Sequence, residues 1–165
     1  MRRRDREVTD MNEILRILKT ANVLHLGLTD GDMPYVLPMN YGFSMEDGKL
    51  TFYIHGSKEG RKWDVIEKNP KCCAQIECED RMFEGDKPCT YGYTYYCLMG
   101  FGKVEVIEDP QEKIKGMQLL MKNLTDKDFE FNERLLSMVK MARITCDSYT
   151  AKHRPLPLTK QDPGM

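Results

Sequence analysis

Two stretches of the chain repeat apolar residues at helical spacing directly after a capping motif. Asp10 and Glu13 have the spacing of a capping box, and the apolar positions around them predict an amphipathic helix over residues 8–20. Residues 109–112, Asp-Pro-Gln-Glu, combine an N-cap, a proline at the first helical position and a capping glutamate ahead of a second apolar stripe. We therefore expect two helices that each pack through one apolar face.

Two shorter helices are predicted between the β-rich parts of the chain. Residues 57–68 are expected to form a helix that ends before Asn69 and Pro70, because proline disfavours helical geometry in the residue that precedes it. A further short helix is predicted over residues 132–136. The charged and turn-forming residues 79–88 predict a loop.

The other apolar residues favour strands. Runs rich in β-branched and aromatic residues are separated by turns such as Asp30-Gly31-Asp32. The predicted strands lie at residues 23–29, 34–43, 50–55, 72–78, 91–108 and 139–149. Six β segments with only short helices between them lack the strand–helix alternation of a parallel sheet. The pattern predicts a mainly β fold, a small antiparallel barrel with peripheral helices.

The length and composition fit one folded domain. The chain has 165 residues, of which 41% are hydrophobic and 31% charged, and this is enough for a single core. We expect the domain to cover residues 1–152. An extended tail that contains Pro155 and Pro157 is expected over residues 153–165.

The charge balance argues against a polyanionic partner. The 25 basic and 26 acidic residues leave a formal net charge of -1, so no overall field draws the protein to nucleic acid or to an anionic membrane. The basic residues 2–6 are not followed by the apolar stretch of a signal peptide, and no run of about 18 apolar residues could span a bilayer. We therefore expect a cytoplasmic protein.

The cysteines and histidines do not show the spacing of a metal site. Six cysteines lie mostly in apolar, strand-like runs of a chain without an export signal, so we expect them to be reduced core thiols. No Cys-x-x-Cys pair occurs, and there are only three histidines. A structural zinc site is therefore not predicted.

A group of cations lies where the helix predicted over residues 57–68 is expected to begin. Lys58, Arg61 and Lys62 fall within or just beyond its first turn, where the macrodipole already contributes roughly half a positive charge. Cations are unfavourable there unless an anion compensates them, and free backbone N–H groups would add to its binding. Phosphate is the natural candidate, since Gly56 and Gly60 permit close approach to the backbone. The alternative is a solvated basic face, and the glycine spacing does not fit a Walker phosphate loop.

Two further features break local rules. Pro38 removes a ladder donor from the middle of a strand-like run, so it should lie at a sheet edge or a bulge. Free backbone groups there could bind a planar polar ring, and an ordinary bulge is the alternative. Gly100 and Gly102 lie on one face of a predicted strand, which permits either tight barrel curvature or contact with a flat ligand.

The same segments, taken in order, resemble a known family. The likeness is carried by residues 34–42, 53–57, 60–62, 69–70 and 100–105. They resemble the pyridoxamine 5'-phosphate oxidase-like FMN-binding split-barrel superfamily, and within it the nitroimidazole-resistance (Nim-type) branch. The likeness runs from the arginine-rich start to about Lys152.

The resemblance implies a homodimer of six-stranded antiparallel split β-barrels with two FMN molecules at the subunit interface. At matching positions it implies that Arg61 and Lys62 bind the FMN phosphate with Ser57 nearby. It places His55 near the flavin, as the candidate catalytic residue. One strand is implied to lay its backbone against the isoalloxazine ring, through Val36, Leu37, Pro38, Met39 and Asn40.

The chain also departs from the family pattern. Cys97 falls about where the oxidases have a glutamine near the flavin, and a thiol is a poorer hydrogen-bond partner for the ring. The residues that hold the phosphorylated substrate of true oxidases have no match in the C-terminal third. Vitamin B6 synthesis is therefore not predicted.

The resemblance leads us to expect an FMN-dependent oxidoreductase. It would take reducing equivalents from a nicotinamide or another reductant and pass them to a small, flat, electron-poor acceptor, by extension a nitroimidazole. Trp63, Phe43, Tyr91 and Tyr93 are candidate walls of the acceptor site, or alternatively ordinary core residues.

Two other functions stay open from the sequence. One is a non-catalytic protein that binds flavin or haem, with His25, His55 or His153 as the axial haem ligand. The other is a dimeric regulatory module that binds no cofactor.

Overall fold

The computed structural model describes residues 2–125 and 127–157, which form a mainly β structure. The strands are β1 Glu7–Val8, β2 Leu24–Asp30, β3 Met33–Met39, β4 Tyr41–Glu46, β5 Lys49–Gly56, β6 Lys71–Phe83, β7 Gly92–Val106 and β8 Lys140–Arg154. The helices are α1 Met11–Thr20, α2 Arg61–Lys68, α3 Pro110–Leu124 and α4 Glu133–Leu136. Short 3₁₀ turns lie at Arg4–Arg6 and Pro88–Thr90.

All strand pairs are antiparallel and belong to one sheet. The strand order is β3-β2-β6-β7-β8-β5-β4, and β1 adds to β8. The two ends of this path, β3 and β4, follow each other in the chain and are separated only by Asn40. The predicted antiparallel, mainly β architecture with peripheral helices is confirmed.

The described residues hold eight strands where the sequence pattern indicated six. The predicted segment 34–43 is divided at Asn40, because β3 pairs with β2 whereas β4 pairs with β5. The two-residue strand β1 ends at Val8, the first residue of the range predicted as helix 8–20, and α1 begins at Met11 instead. The first difference reflects two separate hairpins and the second the distant pairing of β1 with β8, and local periodicity records neither.

Strands β6 and β8 extend beyond their predicted ends. β6 continues to Phe83 through residues expected to form a loop, with an irregularity between Cys78 and Arg81, because β7 pairs with it along its whole length. β8 continues to Arg154 through its pairing with β7, so the start of the expected tail at residues 153–154 is strand. Residues 158–165 of that tail lie outside the described part of the chain.

The helix starts follow from their caps. The Asp10 carboxylate accepts a hydrogen bond from the backbone N–H of Glu13 at 3.0 Å, and Asp109 accepts one from Glu112 at 2.8 Å. The helix predicted over residues 57–68 is α2, and it begins at Arg61 rather than at residue 57. Gly60 precedes it with φ 137°, a conformation that L-residues rarely adopt and that prevents an earlier start.

The core fills the inner face of the sheet and is closed by α1. Leu24, Leu26, Phe52 and Ile54 are fully buried there. The buried Tyr41 hydroxyl lies 2.8 Å from the Leu18 carbonyl, a contact that joins the start of β4 to the end of α1. These contacts hold the neighbouring ends of β2, β3 and β5 in fixed positions.

Two glycines of β7 allow strands to approach closely inside the barrel. A Cβ at Gly102 would lie 1.9 Å from the Thr145 carbonyl oxygen, beside the register shift between Phe101 and Gly102. A Cβ at Gly100 would lie 2.6 Å from the Cys146 sulfur. Both glycines therefore serve close packing against β8, which favours the barrel-curvature interpretation over contact with a flat ligand.

Candidate functional site

A cleft of about 420 Å³ lies where the ends of β3 and β5 meet the start of α2. It brings together five of the residues that the sequence indicated for cofactor binding. Its lining consists of Val23, Pro38, Met39, Asn40, His55 and Lys62. The other predicted residues, Val36, Leu37, Ser57 and Arg61, are not part of this lining.

The β3 side of the cleft is a sheet edge. β3 pairs with β2 on one side and is the terminal strand of the path, so its other side offers backbone groups outside the sheet ladder. Pro38 lies in this strand opposite His25, and its predicted place at an edge is confirmed. The backbone from Pro38 to Asn40 is therefore able to form hydrogen bonds with a planar polar group in the cleft.

His55 places a buried nitrogen atom at the cleft without a partner. Its Nδ1 atom is inaccessible to solvent, and no group among the described residues forms a hydrogen bond with it. Burial lowers the pKa of His55, and the nearby Lys62 ammonium lowers it further. The imidazole is consequently neutral at pH 7, so one of its ring nitrogens is a donor and the other an acceptor.

Lys62 supplies the positive charge of the cleft. Its Nζ atom lies over the Trp63 ring, 5.0 Å from the centroid. It also lies 2.5 Å from the point where a Cβ at Gly56 would stand, so this glycine leaves room for the ammonium group. Among the described residues no carboxylate lies within salt-bridge distance of Lys62.

The loop between β5 and α2 is held by its own hydrogen bonds. The Ser57 hydroxyl donates to the Glu59 carbonyl at 2.7 Å, and the Trp63 indole N–H donates to the Ser57 carbonyl at the same distance. Trp63 is only 4% exposed and belongs to the core. Its hydrogen bond therefore ties the loop to the core. Trp63 is a core residue rather than a wall of the cleft.

Arg61 points away from the lining of the cleft. Its guanidinium forms an ion pair with Asp30 at 2.9 Å and lies 4.8 Å from the centre of the Tyr35 ring. The Arg61 side chain is 63% exposed. Of the two adjacent cations, Lys62 lies in the cleft and Arg61 beside it.

The other residues considered from the sequence lie elsewhere. Phe43 packs against the core, whereas Tyr91 and Tyr93 are exposed on the long β6–β7 hairpin. The Cys97 sulfur accepts a hydrogen bond from the Gln75 amide at 3.5 Å, on β7 and outside the cleft lining. All six cysteines are free, but only Cys72, Cys78 and Cys146 are buried as expected for core thiols; Cys73 and Cys97 are half-buried and Cys89 is exposed.

Two residues near the cleft escaped the sequence analysis. Val23 precedes β2 and lines the cleft. In the sequence it is visible only as one more apolar residue. Lys140 begins β8, opposite Gly56, and its ammonium lies 5.3 Å from the Trp63 ring centroid. The pairing of β5 with β8 that places Lys140 there joins positions 84 residues apart, so no local pattern could reveal it.

A larger groove of about 530 Å³ lies elsewhere on the sheet and has a different character. Its central charges are already paired, since Arg143 binds Glu105 at 2.8 Å and Glu112 at 2.7 Å. Lys49 and Lys103 also line this groove, and neither lies within salt-bridge distance of a carboxylate among the described residues. The smaller cleft combines an unpaired cation with the free edge of β3 and with five of the residues that the sequence indicated, and this combination makes it the better candidate site.

The donor set of the cleft fits a planar, phosphorylated cofactor. Lys62 can bind a phosphate, the edge of β3 can bind ring heteroatoms, and the His55 imidazole lines the cleft beside them. Within residues 2–125 and 127–157, no three His, Cys, Asp or Glu side chains converge in a way that could hold a metal ion. None of the described helices is long and apolar enough to cross a bilayer.

Solved structures with this fold include several proteins that carry cofactors. A protein from Bacteroides thetaiotaomicron assigned to 5-nitroimidazole antibiotic resistance is 29% identical, with a TM-score of 0.75 over 89% of this chain and 86% of that chain. A flavocytochrome from Azotobacter vinelandii is 19% identical, with a TM-score of 0.77 over 98% and 75% of the two chains. An FAD- and haem-binding protein from Mycobacterium smegmatis is 16% identical, with a TM-score of 0.73 over 90% and 73%.

The match to a family model covers the whole barrel and the cleft. Comparison with curated proteins finds no match. The model of the pyridoxamine 5'-phosphate oxidase family matches residues 10–153, which include every residue that lines the cleft. The predicted relationship to split-barrel proteins, with a nitroimidazole-resistance protein among the structural relatives, is confirmed. The chain belongs to the pyridoxamine 5'-phosphate oxidase family and has its mainly β split-barrel fold.

Proposed function

We propose that this protein binds FMN in the cleft between β3, β5 and α2 and acts as an oxidoreductase on a small, electron-poor acceptor. The observation that carries the proposal is the combination of Lys62, the His55 nitrogen and the free edge of β3 in one cleft. Each of these groups matches one part of a flavin mononucleotide. The proposal draws further support from the FAD-binding and flavocytochrome relatives.

The phosphate of FMN is assigned to the start of α2. Lys62 provides a cation there, and the backbone N–H groups at the beginning of the helix point toward the same region. Ser57 and Gly60 border the loop just before it, and Arg61 lies beside it in contact with Asp30. A dianion at this point offsets both the positive end of the helix dipole and the Lys62 charge.

The ring of FMN is assigned to the edge of β3. The backbone of Pro38, Met39 and Asn40 would present hydrogen-bonding groups to the ring heteroatoms, and Val36 and Leu37 precede them in the same strand. The neutral imidazole of His55, which lines the cleft, would hold a polar atom of the ring or of the acceptor. These groups orient the ring and limit the access of water to it.

A second copy of the chain is proposed to complete the site. Val36 and Phe101 are 63% and 50% exposed, and they lie in one row across the sheet with Gly27 and Cys73 between them. Met99 extends this apolar outer face in the neighbouring row. The row through Met99 ends at Pro38, so the face continues to the cleft. Large exposed apolar patches mark interfaces, and a homodimer through this face would place the cofactor between subunits.

Bound FMN supplies electron and hydride transfer between a nicotinamide or another reductant and a flat acceptor of the nitroimidazole type. The contribution of the chain is to bind and orient. Lys62 fixes the phosphate end, the β3 backbone tunes the ring through hydrogen bonds, and His55 positions the acceptor without carrying a charge. Specificity for the acceptor would depend on the shape left between Val23, Asn40 and the partner subunit.

The absorbance spectrum of the purified protein, followed by titration with FMN, FAD, riboflavin and haem, tests this function. We expect a flavin spectrum, with tightest binding of FMN and oxidation of NADH or NADPH when a nitroimidazole is added. A Soret band, or tight binding of haem alone, would contradict the proposal. Flavin binding without turnover for any donor and acceptor would retain the binding assignment and refute the oxidoreductase.

A further inference from the structure

Two lysines that are 78 residues apart in the sequence each lie near the ring of one tryptophan. The Nζ atoms of Lys62 and Lys140 lie 5.0 Å and 5.3 Å from the centroid of the Trp63 ring. The two ammonium groups are therefore at most about 10 Å apart. Trp63 is the only tryptophan of the chain.

The strand register explains why the lysines converge. Gly56 is the partner of Lys140 in the β5–β8 ladder, and side chains of directly paired residues point to the same face of a sheet. A Cβ at Gly56 would stand 2.5 Å from Lys62 Nζ and 3.6 Å from the Trp63 ring. Because Gly56 has no side chain, the end of Lys62 occupies the space beside it, and this space is next to Lys140.

The charge of this pair of lysines is not balanced within the described residues. Arg61, Arg143 and Lys115 each lie within salt-bridge distance of a carboxylate. Lys62 and Lys140 have no such partner among residues 2–125 and 127–157. Contact with an aromatic ring stabilises a cation only weakly, and neighbouring cations repel each other. A bound anion would remove this imbalance.

We propose that Lys140 is a second phosphate-binding residue, and that Lys62 and Lys140 together hold the terminal phosphate of the cofactor from α2 and from β8. This inference rests on the proposed binding of FMN and adds to it a ligand residue outside the matched family motifs. It assigns the phosphate to the region beside Gly56, where the Lys62 side chain ends and where Lys140 is the paired residue. Arg61, directed to Asp30, becomes a positioning residue for the loop rather than the main phosphate ligand.

The test compares the affinities of FMN and riboflavin, which differ in the phosphate alone. Variants Lys140→Ala, Lys140→Gln and Lys140→Arg are titrated with both ligands, and the fluorescence of Trp63 reports binding directly. Lys122→Ala, at an exposed lysine in the last turn of α3, is the matched control for loss of a lysine charge. We expect Lys140→Ala and Lys140→Gln to weaken FMN about five- to tenfold, with riboflavin unchanged and the affinity for FMN largely restored in Lys140→Arg.

Each outcome decides the inference. If the parent protein binds FMN and Lys62→Ala weakens it while Lys140→Ala and Lys140→Gln do not, the role of Lys140 is refuted and the proposed function stands. Equal losses for FMN and riboflavin at Lys140 would likewise refute a phosphate contact. If the parent protein binds no FMN, the proposed function and the inference that rests on it both fail.

Discussion

Arg61 and Asp30 form an ion pair in which the guanidinium Nη2 lies 2.9 Å from the carboxylate oxygen Oδ2. The pair joins the first residue of α2 to the last residue of β2. Tyr35 on β3 supports the guanidinium from its ring face. Two adjacent cations at one helix start thus have different surroundings, since Arg61 contacts the β2–β3 hairpin and Lys62 lines the cleft.

Asp30→Asn tests how much this pair contributes to the fold. The Arg61 side chain is mostly exposed, and exposed ion pairs contribute about 0–1 kcal/mol. We expect the free energy of unfolding, measured in urea, to fall by less than about 1 kcal/mol and the affinity for FMN to change by less than about threefold. Asp32→Asn in the adjacent turn is the control. A loss above about 2 kcal/mol would show that the pair is a structural requirement.

Gly56→Ala tests whether the position of the Lys62 ammonium matters for binding. The new Cβ would stand 2.5 Å from Nζ, and the flexible lysine end can move away without disturbing the barrel. We expect a drop of about three- to tenfold in FMN affinity, with little change in the urea midpoint. Gly31→Ala should instead lower the urea midpoint and leave FMN affinity unchanged. The φ of +66° at Gly31 strains an alanine, but Gly31 lies in the β2–β3 turn. Unchanged affinity in Gly56→Ala would count against the phosphate assignment.

The stability of the protein should depend on pH through His55. Its pKa in the fold lies below the ordinary 6.5 because the imidazole is buried and faces Lys62. As the pH falls below about 6.5, His55 therefore binds a proton in the unfolded chain before it does so in the native state. The native state consequently loses stability relative to the unfolded chain. The stability contributed by this group is complete above that pH and declines by at most about 1.4 kcal/mol per pH unit below it.

Unfolding free energies measured in urea across this pH range check the prediction. His55→Gln should flatten the decline, whereas His153→Gln, a control for loss of a histidine outside the cleft, should leave the part due to His55 in place. Identical pH dependence in the parent protein and His55→Gln would contradict the assignment.

The apolar outer face should determine the oligomeric state. Val36→Glu combined with Phe101→Glu places two charges within one cross-strand row of that face, and burying unpaired charges in an interface is costly. We expect sedimentation to show the dimer mass for the parent protein and the monomer mass for the double variant. Met138→Glu changes a residue that is 70% exposed and belongs to neither cross-strand row of that face, and it should stay dimeric. A monomeric parent protein would refute the proposed interface.

Local signals predicted the elements whose causes are local. The caps at Asp10 and Asp109 marked the helix starts, and Pro70 marked the end of α2. The edge position of Pro38 followed from its missing donor. Where pairing with a distant strand sets the length of a strand, the hydrophobic pattern did not predict its end. The extension of β6 to Phe83 and of β8 to Arg154 shows this.

The candidate site shows the same division. The cations at the start of α2 and the residues 38–40 were visible as breaks in local rules, and five of the predicted residues line one cleft. The separation of Arg61 from Lys62 was not visible, because it depends on Asp30, which is 31 residues away. Lys140 escaped notice for a related reason, since only the β5–β8 register brings it to Trp63.

The most direct test of the account is the ratio of FMN to riboflavin affinity in the parent protein and in Lys62→Ala, with Lys68→Ala at the other end of α2 as the control. If Lys62 binds the phosphate, its loss should weaken FMN by about tenfold or more and leave riboflavin within about twofold. The control should bind both ligands as the parent protein does. Equal weakening of FMN and riboflavin in Lys62→Ala, or none, would contradict the phosphate site on which the proposed function depends.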